Sequence, residues 1–329
     1  MLMVTLPRVR HYGFADCSIA CNIALPELRS AVGRHDLHIC VCFHGADHEI
    51  ELPGSWEIVD VDCGLMVGKR ADSTTLRFPE LADFVVSSAG TRVDVVAERG
   101  TDFATVRHLL LDQVLPRVLS LRSGSVLHAA VVATNTNAFC IAGRTGRGKS
   151  TLAAACERSG ATLWSDDGAR LSAATGTSIT VVPTYTGLRL LEDSLHQVVG
   201  GMEGTERMAQ YSAKRRVVRT PIQYGDALPL RLRAIYSLAE PMGAGDSGVV
   251  ITLLSPSLST MTVLANSFLL NPADTRLAAA ALQQAGRVAR LVPVFELRYP
   301  RDYERLADVA DALLRHAASV PKSHLAASR

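Results

Sequence analysis

The strongest constraint on the fold is a short glycine-rich segment, residues 143–150, with the pattern Gly-x-x-x-x-Gly-Lys-Ser. The apolar run at 138–142 predicts a buried strand before this segment, and the alanine- and leucine-rich residues after it predict a helix. A glycine-rich loop between a strand and a helix is the setting of a phosphate-binding P-loop, the Walker A motif. We therefore interpret residues 143–150, called the P-loop below, as a nucleotide phosphate site.

The residue types of the P-loop suit the binding of a polyphosphate. Its glycines lack a Cβ, so backbone N–H groups and the following helix N-terminus can face the phosphates closely. Lys149 can reach the outer phosphates, and the Ser150 hydroxyl can bind Mg²⁺. ATP and Mg²⁺ are the predicted cofactors, although the motif does not separate ATP from GTP. The predicted nucleotide-binding residues are Gly143, Thr145, Gly146, Arg147, Gly148, Lys149, Ser150 and Thr151.

Composition excludes several classes of protein. The 329 residues are 48% hydrophobic and 20% charged, which is typical of a globular chain long enough for two domains. A formal net charge of +2 gives no basic excess that would favour nucleic acid or a membrane surface. The seven cysteines lack the spacing of a disulfide framework, and neither a signal peptide nor a bilayer-spanning run is visible. We expect a cytoplasmic protein with reduced thiols and no nucleic-acid or membrane partner.

The chain divides into two predicted regions. Short alternating segments in the first hundred residues, including a hairpin turning near Ala89 and Gly90, predict a mostly antiparallel sheet. Helical spacing follows over 103–121, with Pro116 as a point where the helix can kink or break. We predict an N-terminal mostly β domain with a linking helix at 1–123, a P-loop domain at 124–320 and a frayed tail at 321–329.

Alternating His and Cys residues at 38–44, with His48 beyond them, do not predict a metal site. Side chains on one face of a strand stand about 6.8 Å apart. The ligands of one zinc ion must converge to about 2.0–2.3 Å from it, which an extended strand cannot achieve. A half-buried strand is the favoured interpretation.

Two further features flank the P-loop in the sequence. His128 lies on the predicted strand before it, and Asp166-Asp167 follows a short predicted strand after it. In α/β sheets ligands bind beyond the carboxyl ends of strands, so the Asp pair should lie near the phosphates. By itself, a histidine on an apolar strand more often fills a core, and an Asp-Asp pair can be a solvated turn.

Together these segments resemble the active site of the HPr kinase/phosphorylase-like family, which shares its phosphate site with phosphoenolpyruvate carboxykinase. The resemblance is carried by residues 126–129, 143–150 and 165–167. Residues 14–28, 187–190, 214–215 and 292–300 are similar to HPr-kinase-related proteins of peptide-modifying gene clusters, including lasso-peptide precursor kinases. The implied fold class is α/β, with the N-terminal mostly antiparallel β region joined to an HPr-kinase/PEP-carboxykinase-type P-loop kinase domain.

The resemblance implies an ATP-dependent serine kinase in which His128, Lys149 and Asp166 are catalytic. Asp166 would take the proton of the acceptor hydroxyl, while Asp167 would bind Mg²⁺ with Ser150 or orient His128. The roles of the two aspartates are exchangeable at this point. Basic residues that could clamp a phosphate or an acidic acceptor are Arg189, Lys214 and Arg215, for which a buried ion pair or a solvated basic face is the alternative.

Two departures from the family bear on the acceptor. HPr kinases typically have Glu after the P-loop Ser, where this chain has Thr151, and the downstream glycine-rich segment that engages HPr is missing. A peptide or small protein bearing Ser, such as a lasso-type (RiPP) precursor, is therefore the expected acceptor. Relatives of the family often form oligomers, which makes a homo-oligomer an expectation. The alternatives are a nucleotide-binding maturation or regulatory module without an acceptor, and a nucleotidyl or polyphosphoryl transferase.

Overall fold

A computed structural model describes residues 9–31, 37–44, 48–60, 64–134, 137–173, 178–219, 229–242 and 248–321. In these residues the chain forms a mixed α/β structure with two large sheets and a small three-stranded sheet. All but one residue of the predicted tail at 321–329 lies outside the described residues.

The first sheet uses only residues before position 98, and its strand order is β3-β1-β2-β4-β9-β8-β7-β6-β5. Its strands are β1 (Arg10–Phe14), β2 (Cys17–Cys21), β3 (Arg29–Ser30), β4 (Leu37–His44), β5 (Glu57–Asp60), β6 (Leu65–Lys69), β7 (Ser73–Phe78), β8 (Ala82–Ser87) and β9 (Arg92–Ala97). Neighbours are antiparallel except that β4 runs parallel to both β2 and β9. The mostly antiparallel arrangement and the β8–β9 hairpin agree with the sequence pattern.

Side chains alternate between the two faces of the sheet along β4. Ile39 and Val41 are buried on the inner face, while Cys40 is exposed and Cys42 half-buried on the other. Among the residues that the structure describes, no group of three or more His, Cys, Asp or Glu side chains could hold a metal ion.

A helix with an irregular turn follows the first sheet. It consists of α1 (Phe103–Leu109), a π-helical turn (Leu110–Val114) and α2 (Leu115–Ser123). Leu115 N–H donates to Leu110 O, the wider hydrogen-bond spacing of a π-turn. Pro116 falls in the first turn of α2, where its missing N–H costs little. The predicted helix is present. The π-helical turn lies just before Pro116, where the sequence predicts a kink or break.

The second sheet carries the P-loop, and its strand order is β10-β14-β15-β19-β12-β11-β13. Its strands are β10 (Val126–Leu127), β11 (Ala129–Thr134), β12 (Asn137–Ala142), β13 (Thr162–Ser165), β14 (Ala169–Ala173), β15 (Ile179–Pro183) and β19 (Leu230–Leu238). β19 also pairs in parallel with β21 (Val294–Arg298), which β20 (Val250–Leu253) flanks. The small sheet contains β16 (Arg189–Leu190), β17 (Thr205–Arg207) and β18 (Arg215–Val217).

The remaining helices are α3 (Lys149–Arg158), α4 (Glu192–Val198), α5 (Pro256–Ala265), α6 (Thr275–Leu291) and α7 (Leu306–Ser319). α6 begins at Thr275, where the Asp274 side chain caps it by accepting from the N–H groups of Arg276 and Leu277 in its first turn. No helix in the described ranges has the length and apolar character needed to cross a bilayer.

The two regions meet in a shared hydrophobic cluster. Phe14 of the first sheet is fully buried, and its ring centroid lies 6.0 Å from that of Tyr185. Ala15 N–H donates to Thr184 O at 2.7 Å, so backbone pairing supports the ring contact. Val126 and Phe268 of the second region belong to the same cluster. The first sheet is thus packed onto the region that carries the P-loop, and the predicted boundary at 123/124 falls where α2 ends.

Replacing Phe14 with Ala should test this junction. Because the ring is fully buried between the regions, we expect the free energy of unfolding to fall by about 3–5 kcal/mol. Urea denaturation followed by circular dichroism would measure it, with Ile58→Ala, an exposed position of β5, as the control. A loss no larger than the control's would show that the ring does not hold the two regions together.

Candidate functional site

The P-loop connects the end of β12 to the start of α3. Gly143 has φ of 141° with Leu238 packed against it, 3.2 Å from where a Cβ would stand. Gly148, with φ of 92°, is the residue from which α3 starts. Both conformations favour glycine, which explains why the motif has glycine at these positions. The predicted strand–loop–helix arrangement is therefore present.

Lys149 is buried beneath this loop. Its Nζ donates to Gly143 O at 2.8 Å and lies 3.4 Å from Arg144 O. Burial lowers the pKa of Lys149, while the charges of Asp167 and Asp166 act in the opposite direction. A cation held in the loop by backbone carbonyls is placed to bind an anionic ligand that enters it.

The P-loop opens into a cavity of about 760 Å³. Its walls come from three parts of the chain. The P-loop side is formed by Thr145, Gly146, Gly148, Lys149, Ser150 and Thr151. His128, Asp167 and Arg189, from the strands and loops of the same region, also line the cavity. The side contributed by the N-terminal region contains Phe78, Leu81, His108, Leu109, Gln113 and Arg117. A ligand in this cavity would therefore contact both regions of the chain.

Asp166 is almost fully buried, at 1% exposure. Its Oδ2 accepts from the Arg189 backbone N–H at 2.8 Å, but its buried Oδ1 has no hydrogen-bond partner among the described residues. Burial, followed by the charge of Asp167, raises the pKa of Asp166 to about 6, while the charge of Arg189 and then the nearby Ser150 hydroxyl partly offset this. A carboxylate oxygen without a donor beside a serine hydroxyl fits a hard cation such as Mg²⁺.

Asp167 differs from its neighbour because it lines the cavity, with 22% of its side chain exposed. Its Oδ1 lies 3.2 Å from His128 Nε2, and its Oδ2 accepts from Arg189 Nη1 at 3.0 Å. Burial acts to raise the pKa of Asp167, but the His128 hydrogen bond and the Arg189 charge outweigh it and hold this pKa well below its usual range. Asp167 is thus an ionised carboxylate that faces the cavity.

His128 stands at the break between β10 and β11, where its side chain turns into the cavity. Its backbone N–H donates to Asn266 O at 2.7 Å, and Asn266 Oδ1 accepts from Gly143 N–H at 2.9 Å. Asn266, the residue that follows α5, thereby links His128 to the start of the P-loop. His128 and Asp167, predicted to lie on either side of the P-loop, are in contact.

The predicted basic residues do not share one environment. Arg189, at 4% exposure, lines the cavity, but its guanidinium is paired with three carboxylates. Lys214 also lines the cavity, and none of the described ion pairs includes it. Arg215 donates to Thr205 Oγ1 and O at 2.8 and 3.1 Å and lies outside the described cavity lining. Arg147, predicted to bind nucleotide, forms an ion pair with Glu240.

Sequence analysis missed Asp112, a buried residue of the π-helical turn. Its Oδ1 accepts from Arg189 Nη2 at 2.7 Å and from the Tyr185 hydroxyl at 2.5 Å. Its Oδ2 lies 2.5 Å from His108 Nδ1. A signal was available, because an acidic residue stands in the otherwise apolar stretch 109–111 and 114–115. Such residues are rarely buried without a partner.

A second missed group lies on the other side of the P-loop. Thr151 Oγ1 is 3.1 Å from Ser194 Oγ, which is 2.9 Å from the Tyr303 hydroxyl. All three residues line the cavity. Ser and Tyr residues scattered through the chain carry no sequence pattern that would have joined them to the P-loop.

No protein-family model and no curated protein matches the chain. Among solved structures, it is similar to the HPr(Ser) kinase/phosphatase from Coxiella burnetii, with 13% sequence identity and a TM-score of 0.29. The match covers 59% of this chain and 95% of that one. A likeness of this size does not show a shared fold, so the geometry of the cavity carries the functional conclusion.

Proposed function

We propose that the chain is an ATP-dependent kinase that transfers the γ-phosphate to a serine hydroxyl of a peptide or small protein. The observation that carries this proposal is that Lys149 and the ionised Asp167 line the same cavity. A phosphate-binding loop alone would fit many nucleotide-binding proteins. A carboxylate beside it, facing open space that continues towards the N-terminal region, adds the group that a hydroxyl acceptor needs.

The donor side of the cavity suits ATP with Mg²⁺. The α3 N-terminus and the P-loop N–H groups would face the phosphates, and Lys149 would neutralise their outer charge. Ser150 and Asp166 would hold the metal, which reduces the phosphate charge when bound. The unpartnered Asp166 Oδ1 is the observation that favours this assignment.

For the acceptor side we propose Asp167 as the base, in place of Asp166, which is the exchange of roles that the sequence left open. Asp167 lines the cavity and Asp166 is absent from the described lining, which supports Asp167 as the carboxylate nearer to an acceptor hydroxyl. In the proposed step, a carboxylate oxygen of Asp167 takes the hydroxyl proton as the acceptor oxygen bonds to the γ-phosphorus. The bond from that phosphorus to the bridging oxygen breaks, and ADP leaves. His128 orients Asp167 through the contact to Oδ1.

The cavity wall contributed by the N-terminal region suits a peptide acceptor. Phe78 and Leu81 give it apolar surface, and Arg117 and Gln113 give it polar groups. Lys214 adds a cation that no described ion pair neutralises. A ribosomal precursor peptide of the lasso type is the specific acceptor that the sequence resemblance suggests.

Tyr303 should contribute to binding of the nucleoside rather than the phosphates, because its aromatic ring lines the cavity and it joins α3 only through Ser194 and Thr151. Tyr303→Ala is expected to weaken binding of a fluorescent ATP analogue by at least about fivefold, through lost stacking. Binding of inorganic tripolyphosphate should be unchanged, and Tyr303→Phe, which keeps the ring, should stay close to wild type. Equal losses for both ligands would contradict this placement.

Mass spectrometry tests the function. The protein would be incubated with ATP, Mg²⁺ and a library of serine-bearing peptides. Addition of one phosphoryl group to a peptide, with release of ADP, is the expected result, and it should disappear in Asp167→Asn. Addition of a nucleotide or of several phosphates would identify a different transferase. Unmodified peptides and unconsumed ATP would indicate a binding module, and either outcome would overturn the proposal.

A further inference from the structure

We infer that Asp112, on the linking helix of the N-terminal region, is a positioning residue that holds Arg189 against Asp167. This inference rests on the proposed function. Asp112 does not line the cavity; it contacts Arg189, which contacts Asp167. It would therefore act on the reaction through these two side chains rather than by touching a substrate.

The Arg189 guanidinium donates side-chain hydrogen bonds to two carboxylates. Nη2 donates to Asp112 Oδ1 at 2.7 Å, and Nη1 donates to Asp167 Oδ2 at 3.0 Å. Because the guanidinium is planar and rigid, fixing one of these nitrogens fixes the direction of the other. Asp112 thereby determines how Arg189 presents its second nitrogen to Asp167.

Asp112 is itself held at both oxygens. The Tyr185 hydroxyl donates to Oδ1, and His108 Nδ1 lies beside Oδ2, each at 2.5 Å. The Arg189 guanidinium also lies over the Tyr185 ring, 5.3 Å from its centroid. These contacts leave the Asp112 carboxylate little freedom to rotate, which is what precise placement of a second side chain requires.

Charge gives a second reason for the role. Buried Arg189 is paired with Asp112, Asp166 and Asp167. Without the Asp112 charge, the guanidinium would be drawn towards the other two carboxylates alone. Its contact with Asp166, now 3.7 Å from Nη1, would compete with the contact to Asp167. Asp112 therefore keeps the Arg189 guanidinium from moving towards Asp166, so that the contact between Arg189 and Asp167 is maintained.

The contacts run as a chain from His108 through Asp112, Arg189 and Asp167 to His128. Both terminal histidines line the same cavity. The linking helix thus contacts the proposed base through Arg189 and also contributes residues to the cavity lining. The N-terminal region would therefore act on the reaction through Arg189.

Asp112→Asn tests the inference, because it removes the charge and keeps the shape. We expect kcat for ATP turnover to fall about ten- to hundredfold, since a displaced group near the reaction costs this much, with KM for ATP within twofold of wild type. A crystal structure should show Arg189 Nη1 displaced from Asp167. The matched control is Asp83→Asn, which weakens the half-buried ion pair with Arg77 between β7 and β8 and should change neither kcat nor KM.

Tyr185→Phe is a milder second variant in case Asp112→Asn does not fold. It removes only the hydroxyl donor to Asp112 and should lower kcat by a smaller factor, again with KM for ATP unchanged. Wild-type kcat in a folded Asp112→Asn or Tyr185→Phe protein would overturn the inference, as would an equal kcat loss in Asp83→Asn. If the wild-type protein has no turnover, the proposed function fails instead. The crystal structure then decides this inference, and an undisplaced Arg189 overturns it.

Discussion

Replacing Lys149 with Met is expected to reduce ATP turnover by about a hundred- to a thousandfold, the cost of removing one preorganised electrostatic group from a reaction site. Methionine keeps an unbranched apolar side chain close to the lysine stem but removes the positive charge that lies within the P-loop. Gly143 O, now 2.8 Å from Nζ, would lose its donor. Steady-state measurement of ADP release would determine the loss.

The control for this prediction is Lys69→Met, the same substitution at an exposed lysine of β6. It should leave turnover unchanged, because the described ion pair of Lys69 is with Asp274, the cap of α6, and neither residue is in the described cavity lining. If Lys149→Met retains more than about a tenth of wild-type turnover, the P-loop lysine does not neutralise the transferred phosphate, and the donor site must lie elsewhere.

Asp167→Asn is expected to lower kcat by about a hundred- to ten-thousandfold, the range that a general base contributes. Affinity for ATP should remain within a few-fold of wild type, because the phosphate-binding groups of the P-loop are untouched. Stopped assays for phosphopeptide, combined with titration of a fluorescent ATP analogue, would separate the two quantities.

Asp166→Asn provides the comparison that distinguishes the two aspartates. If Asp166 holds the metal, its variant should need a higher Mg²⁺ concentration for half-maximal activity, and excess Mg²⁺ should restore part of kcat. Asp167→Asn should show no such recovery. The reverse pattern, with an active Asp167→Asn and an inactive Asp166→Asn insensitive to Mg²⁺, would return the base role to Asp166.

Much of the second region could be predicted from local sequence patterns. The run 138–142, the glycines after it and the alanine-rich segment from Lys149 each fix a short piece of backbone, and together they specify β12, the P-loop and α3. α5 was missed, although Ser255 followed by Pro256 is a helix-start pattern and the Ser255 side chain caps it. Local pattern therefore carried more information than was used.

The chemistry of the site could not be read in the same way, because it depends on burial and on contacts between distant residues. Asp166 and Asp167 are equivalent in the sequence, and only the fold exposes one of them to the cavity. Asp112 and Arg189 lie 77 residues apart, in different predicted domains. The predicted basic residues differ for the same reason. Lys214 is in the described cavity lining, and its sequence neighbour Arg215 is not.

The central claim is that the γ-phosphate of ATP moves to a serine oxygen, and phosphorus-31 NMR tests it most directly. With protein, ATP, Mg²⁺ and a serine peptide in the tube, the account predicts that the γ-phosphate signal declines while those of ADP and a serine phosphate monoester grow together. Appearance of AMP with a phosphodiester on the peptide, or growth of inorganic phosphate alone while the peptide stays unmodified, would contradict it.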